Sequence, residues 1–147
     1  MENEPFQILL ADDDEGDRLL FKEALEELEI KPIVHTVNNG MELMDYLTKK
    51  NASLPHLIFL DLNMPRKNGL ECLKEIRSRY GNKIAIAIFS SSTHENDIDE
   101  TFRSGANVYI HKPNDFNELR QVLNKVVITA HTYQNTFFNK ADFKLRV

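Results

Sequence analysis

The sequence predicts an α/β protein built on a doubly wound parallel five-stranded sheet, and two observations carry that expectation. Five short apolar runs alternate strictly with five segments whose apolar residues recur every three or four positions. Two of the runs, Leu57–Leu60 and Ile84–Phe89, are apolar throughout, as strands covered on both faces are. Alternating strands and helices imply right-handed crossovers, hence parallel strands with helices on both sides.

The elements follow in order. Phe6–Ala11 (FQILLA) is the first strand and ends at three aspartates. Glu15–Glu29 reads as a helix with Leu20, Ala24, Leu25 and Leu28 at helical spacing. Asp14 can cap it, with Asp17 in the first turn. Ile33–Val37 is short and β-branched, a second strand; after Gly40 a helix runs through Leu43, Met44 and Leu47. His56–Leu60 is the third strand. Asn68 and Glu71 form a capping box for a third helix, with Leu70, Leu73 and Ile76 inward. Ile84–Phe89 is the fourth strand. Ile98 and Phe102 mark a fourth helix that Gly105 ends. Asn107–His111 is the fifth strand. Asn114 caps a last helix with Leu119, Val122, Leu123 and Val126 along one face.

Residues 1–128 account for all ten elements as one domain, and residues 129–147 read as its extension, with no output domain. Leu119, Val122, Val126, Ala130, Tyr133 and Phe137 keep helical spacing, so the last helix is expected to reach about Phe138. Asp142–Val147 alternates polar and apolar, like a short strand. The aromatic tail fits either a homodimer or partner surface, or a segment folded back on its own domain.

Composition narrows the function. With 23 acids against 18 bases the net charge is −5, and no long basic run offers itself to phosphates, so nucleic acid is not an expected partner. No stretch approaches the roughly 18 apolar residues of a membrane span. The acidic N-terminus is unlike a signal peptide. The single cysteine, Cys72, fits a buried thiol in a reducing compartment, so a cytoplasmic location is expected. The five histidines are scattered and read as surface or strand residues.

In an open α/β sheet, ligands bind beyond the carboxyl ends of the strands. There stand Asp12, Asp13 and Asp14 after the first strand, Asp61 and Asn63 after the third, Ser90 at the fourth, and Lys112-Pro113 after the fifth. Two carboxylates about 4 Å apart repel by roughly 4 kcal/mol at an effective dielectric near 20. Such a cluster needs a cation or must take up protons. A set of hard oxygens selects Mg²⁺ over zinc. Lys112 and Ser90 can meet phosphate oxygens, and Asp61, as nucleophile, can form an acyl phosphate. Little further machinery is required, because phosphoryl transfer is mostly positioning and charge neutralisation.

The runs ILLADDD, LIFLDLNMPRKNG, IAIAIFSSS and SGANVYIHKP, in this order and each at a strand end, resemble the receiver domain of bacterial two-component response regulators. The resemblance covers residues 6 to about 128. It implies the flavodoxin-like (βα)5 fold with strand order 2-1-3-4-5. It further implies that Asp61 accepts a phosphoryl group from a histidine kinase, and that Asp12, Asp13, Asp61 and the Asn63 carbonyl hold Mg²⁺. Ser90 and Lys112 would meet the phosphoryl oxygens, and the bond before Pro113 would be cis. Ser90 and Tyr109 would form the switch, with Tyr109 turning inward as the hydroxyl moves. Ser90 replaces a more usual threonine. The stretch Leu62–Gly69 most resembles stand-alone regulators that pair with phytochromes and related hybrid kinases.

On this resemblance the chain catalyses only its own phosphorylation and dephosphorylation and is otherwise no enzyme. Its output would be a shift of the surface built from the fourth helix, fifth strand and fifth helix, with Ile98, Phe102, Tyr109 and Arg120 on it, toward a downstream protein or phosphotransfer protein. Rival readings fare worse. Haloacid-dehalogenase-like phosphatases want a second aspartate two positions after the nucleophile, where Asn63 stands. A flavodoxin-like redox carrier would need a phosphate loop where three aspartates lie. A degenerate receiver, binding without phosphorylation, is the remaining alternative.

Overall fold

The computed structural model describes residues 5–49, 53–134 and 145–147. The elements are β1 (Gln7–Ala11), α1 (Glu15–Leu25), β2 (Ile33–Val37), α2 (Gly40–Thr48), β3 (Leu57–Leu60), α3 (Gly69–Tyr80), β4 (Ala85–Ser90), α4 (Glu95–Arg103), β5 (Val108–His111), α5 (Phe116–Gln134) and β6 (Leu145–Arg146). The strands are all parallel, and their order is β2-β1-β3-β4-β5-β6. The expected order 2-1-3-4-5 is thus present, and a sixth strand extends the sheet beyond β5.

Side chains alternate across the strands, and this sorts the core into two layers. Ile8, Leu10, Leu57, Phe59, Ala87, Phe89, Val108 and Ile110 face α1 and α5, where Phe21, Ala24, Leu25, Leu123, Val126 and Val127 meet them. Leu9, Ala11, Ile58, Leu60, Ile86, Ile88 and Tyr109 face the other way, onto Leu43, Leu47, Cys72, Leu73, Ile76 and Ile98. Two-sided burial is why β3 and β4 are apolar at every position but the last of β4.

The Asp14 cap and the Asn68/Glu71 capping box form as the sequence implies. Asp14 Oδ1 accepts from the Asp17 N–H at 2.8 Å. Asn68 and Glu71 exchange bonds of 2.9 and 3.0 Å. Four local expectations are corrected. The first helix ends at Leu25, not Glu29, because a turn follows in which the Leu28 N–H reaches the Leu25 carbonyl at 3.2 Å. Leu20 is 43% exposed, and Phe21 takes the inward position against Phe59. Asp115, not Asn114, caps α5, since its carbonyl accepts from Leu119 N–H and its carboxylate from Asn117 N–H. Ile98 and Tyr109 are not surface residues: both are buried, in the layer beneath α4.

At the amino ends of the strands, Arg77 of α3 ties the fold together. Its guanidinium donates to the carbonyls of Gly105 (2.9 Å), Gly81 (2.9 Å) and Ile84 (2.7 Å) and to Asn107 Oδ1 (3.0 Å). Asn107 Oδ1 in turn accepts from the Ile86 N–H. Burial pulls the Arg77 guanidinium down to about 10.

α5 is described to Gln134; its expected continuation to Phe138 and the aromatics Phe137, Phe138 and Phe143 lie outside the described residues. Residues 145–147 return to the domain. β6 pairs with β5, with Val147 N–H donating to the Tyr109 carbonyl at 3.0 Å and His111 N–H to the Val147 carbonyl at 3.3 Å. Arg146 makes a two-pronged ion pair with Glu95 of α4, at 3.0 and 3.2 Å.

Candidate functional site: an acidic pocket at the strand ends

Register sets the site. Ala11 pairs with Leu60, and Leu60 with Ile88, so the residues that follow β1 and β3 emerge side by side. The Asp61 N–H closes the ladder on the Ala11 carbonyl at 3.0 Å, and the Asp12 N–H does so on the Val37 carbonyl at 3.1 Å. Asp12 is fully buried and Asp61 is 5% exposed, while Asp13 is open to solvent. One oxygen from each of Asp12, Asp13 and Asp61 lies within 4.8 Å of the others.

The loop after β3 is held by close packing. A Cβ on Gly69 would sit 2.2 Å from the Asp61 carbonyl oxygen, so only glycine lets α3 start against that loop. The Gly69 N–H donates to the Leu62 carbonyl at 3.0 Å, and the Asn63 N–H to Asp61 Oδ1 at 3.2 Å. Asn63 and Asp13 line a cleft of about 620 Å³ with Met64, Pro65, Ser92 and Thr101.

Lys112 enters from the end of β5, its N–H on the Ser90 carbonyl at 2.9 Å. Its ammonium meets Asp12 Oδ2 at 3.0 Å, Asp17 Oδ2 at 3.0 Å and Asp61 Oδ2 at 3.3 Å. It also lies 5.3 Å from the Phe89 ring centroid. Burial works against this charge, but Asp12 and Asp61 outweigh it and hold the Lys112 pKa above the ordinary lysine value. Burial raises Asp12 and Asp61 above the usual carboxylate range, only partly offset by backbone N–H donors and Lys112. The site is therefore charge-rich and under-compensated, and its oxygen-only ligands fit a hard divalent cation.

Ser90 is fully buried, and its Oγ accepts from the Ser92 N–H at 3.1 Å. Tyr109 is turned inward, its hydroxyl donating to the Ser92 carbonyl at 2.8 Å. Ser90 and Tyr109 thus meet through Ser92. One expectation is corrected: no peptide bond is cis among the described residues, so the Lys112–Pro113 bond is trans. The tertiary amide prefers trans by about 0.5–1 kcal/mol, and Lys112 reaches its three partners without the cis form.

Asp17 is the residue that the sequence reading missed. Its place in the first turn of α1 explained it as a helix-favouring acid, and that absorbed the signal. Its place three residues after the capping Asp14 sets it beside the strand ends, within reach of Lys112. Arg18, beside it, donates to the Asp12 carbonyl at 2.8 Å.

Comparison with known proteins agrees with this geometry. Residues 8–124 match the response regulator receiver domain family. Response regulator Rcp1 of Synechocystis is 31% identical over 122 residues, covering 80% of this chain and 83% of that protein. The probable methanogenesis regulatory protein FilR2 of Methanothrix harundinacea is 29% identical over 127 residues, 84% of this chain and 82% of its own length. Among solved structures, the phosphorylated cyanobacterial phytochrome response regulator RcpA is 38% identical with a TM-score of 0.78, over 84% of this chain and 91% of that one. The Mn²⁺-bound form of Rcp1 has a TM-score of 0.78 at 27% identity, over 92% and 99% of the two chains. With the fold, the acidic pocket and a match over most of its length in agreement, the chain belongs to the response regulator receiver domain family.

Proposed function

We propose that this receiver accepts a phosphoryl group on Asp61 from the phosphohistidine of a kinase, in a two-component phosphorelay. One observation carries the reading: Asp61 is a buried carboxylate flanked by two others and touched by the Lys112 ammonium at 3.3 Å. Asp12, Asp13, Asp61 and the Asn63 carbonyl are the groups that would hold Mg²⁺. The ion, when bound, neutralises the acids and the charge developing on the phosphoryl oxygens.

The chain's own residues do the rest. An Asp61 oxygen attacks phosphorus, the bond from phosphorus to the kinase imidazole breaks, and that nitrogen keeps the electron pair. Lys112 shifts its donor from the attacking carboxylate to a phosphoryl oxygen, and the Ser90 hydroxyl, held in place by Ser92, donates to another. Hydrolysis reverses the state: water attacks phosphorus, inorganic phosphate leaves and the carboxylate returns. In this sense the chain catalyses only its own phosphorylation and dephosphorylation.

The output surface follows from the same residues. Ser90 ends β4 and Lys112 directly follows β5, so their movement is felt by Tyr109 and α4. The expected surface of α4, β5 and α5 is modified at its middle, because β6 pairs along the edge of β5; what is offered to a downstream protein or phosphotransfer protein is α4, β6 and α5, and a second copy of the chain is one candidate occupant. Likeness to Rcp1 and RcpA supports a phytochrome-like or hybrid kinase as the donor. Among the described residues no helix is long and apolar enough to cross a membrane, and a cytoplasmic site of action is part of this proposal.

The test is intact-mass analysis after incubation with acetyl phosphate and Mg²⁺. Native protein is expected to gain one phosphoryl group, and chelation or Asp61→Asn to abolish the gain. A gain that survives Asp61→Asn overturns the assignment. No gain in folded native protein, from acetyl phosphate or from a kinase, leaves the degenerate receiver as the better reading.

A further inference from the structure

We propose that Asp17 is a positioning residue for Lys112, keeping its ammonium over the site while the other carboxylates are otherwise engaged; this rests on the phosphoacceptor reading above. The ammonium has three N–H donors. They meet three carboxylates, Asp12 Oδ2 and Asp17 Oδ2 at 3.0 Å and Asp61 Oδ2 at 3.3 Å. Two of those acceptors have a second claimant. Asp12 and Asp61 belong to the group of three whose oxygens converge within 4.8 Å and which would hold a cation, and Asp61 is also the group that would be modified. Asp17 is outside that converging set, so its bond to Lys112 has no such competitor.

The surroundings suit that role. Asp17 stands in the first turn of α1, fixed by its N–H on Asp14 Oδ1 at 2.8 Å. Its carboxylate is half-buried at the mouth of the pocket. Lysine is a point charge on a flexible four-carbon stem with several rotamers to lose. With Asp61 spoken for, Asp12 and the Phe89 ring alone would hold the ammonium, and the stem could swing toward solvent. A fixed third acceptor confines it to the position from which one donor turns to a phosphoryl oxygen. A carboxylate that acted only as a like charge would do the reverse, repelling an anionic donor.

Asp17→Ala, Asp17→Asn, Lys112→Ala and the Asp17→Ala/Lys112→Ala double variant separate these roles. With phosphoramidate as donor at saturating Mg²⁺, Asp17→Ala is expected to slow phosphoryl uptake by about tenfold, on the scale of one charge-assisted hydrogen bond. Asp17→Asn, which keeps an acceptor oxygen, should lie between Asp17→Ala and native. In the Lys112→Ala background the Asp17→Ala effect should fall below about twofold, as coupling through the lysine requires. Faster uptake by Asp17→Ala, or an equal loss with and without Lys112, overturns the proposal.

A readout independent of phosphorylation is the ¹⁵Nζ lysine spectrum at low temperature. A slowly exchanging Lys112 ammonium signal is expected in native protein and in Asp61→Asn, and its loss in Asp17→Ala. Retention of that signal in Asp17→Ala overturns the positioning role, whether or not Asp61 is ever phosphorylated. A lost signal in a protein that takes up no phosphoryl group instead overturns the phosphoacceptor reading and leaves the Asp17–Lys112 link standing.

Discussion

Replacing Asp61 by asparagine should make the metal-free protein more stable, although it removes the central residue of the site. The oxygens of Asp12, Asp13 and Asp61 lie within 4.8 Å of one another, and Asp61 is 5% exposed. At that separation and an effective dielectric near 20, buried Asp12 repels the Asp61 charge by about 3.5 kcal/mol, whereas solvent screens the charge of exposed Asp13. Lys112 at 3.3 Å attracts it by about 5 kcal/mol on the same scale. The Lys112 attraction exceeds the Asp12 repulsion by about 1.5 kcal/mol, but burial of the carboxylate is the larger effect and leaves the charge unfavourable on balance. Asparagine has nearly the same shape and keeps an oxygen for the Asn63 N–H. The expected gain is therefore on the order of 1 kcal/mol in urea denaturation with chelator near neutral pH, what the burial cost of the charge leaves after the Lys112 attraction.

The pH dependence checks the cause. Burial raises the Asp61 and Asp12 pKa above 3.8, Lys112 offsetting it in part. The folded state thus holds these protons more tightly than the unfolded one. Their ionisation removes stability as pH rises from 3.8 through the raised values. The advantage of Asp61→Asn should be full above that window and vanish below it. Mg²⁺ should narrow or invert the order, because it stabilises the native protein by binding and the variant has lost a ligand. A variant no more stable than native in chelator, or one whose gain persists unchanged in acid, would refute the reasoning.

Other outcomes follow from the same structure. Arg77→Met leaves the Gly105 and Ile84 carbonyls and Asn107 Oδ1 short of a donor; a loss of about 3 kcal/mol in urea denaturation is expected, with Mg²⁺ affinity by calorimetry nearly unchanged. Gly69→Ala drives a Cβ to 2.2 Å from the Asp61 carbonyl oxygen. It should cost more than about 2 kcal/mol and, unlike Arg77→Met, weaken Mg²⁺ binding. Cys72 is fully buried and its thiol is pushed up to about 11 by burial, so it should not react with an aromatic disulfide reagent in native protein and should react fully in urea.

Much of this was legible in the sequence because it is written locally. The unbroken apolar runs of β3 and β4 announce strands with two covered faces. The Asn68/Glu71 box is a four-residue signal, and Asp12 and Asp61 are each the first polar residue after a strand. What escaped depends on partners distant in the chain. Asp17 explains itself locally as a first-turn acid, and only the arrival of Lys112 from 95 positions away gives it a second role. Leu20 and Phe21 both satisfy a helical period; the ring of Phe59 decides between them. Ile98 and Tyr109 are placed inside by the packing of α4 on the sheet. That β6 lies parallel to β5 is a property of the open β5 edge, since two residues carry no pairing preference of their own.

That edge also has consequences for the order in which the molecule comes apart. β1, β3 and β4 are flanked on both sides and their amides are shielded by two layers of side chains, so hydrogen exchange there requires most of the domain to open. β6 is joined through few backbone bonds and by an ion pair whose members, Arg146 and Glu95, are both largely exposed. Its opening frees the Tyr109 carbonyl and the His111 N–H and lifts Val147 from the rim of one core layer, while leaving the buried residues of both layers in place. The edge is therefore expected to open as a smaller cooperative unit of its own, read as faster amide exchange at His111 and Val147 than in β1, β3 and β4.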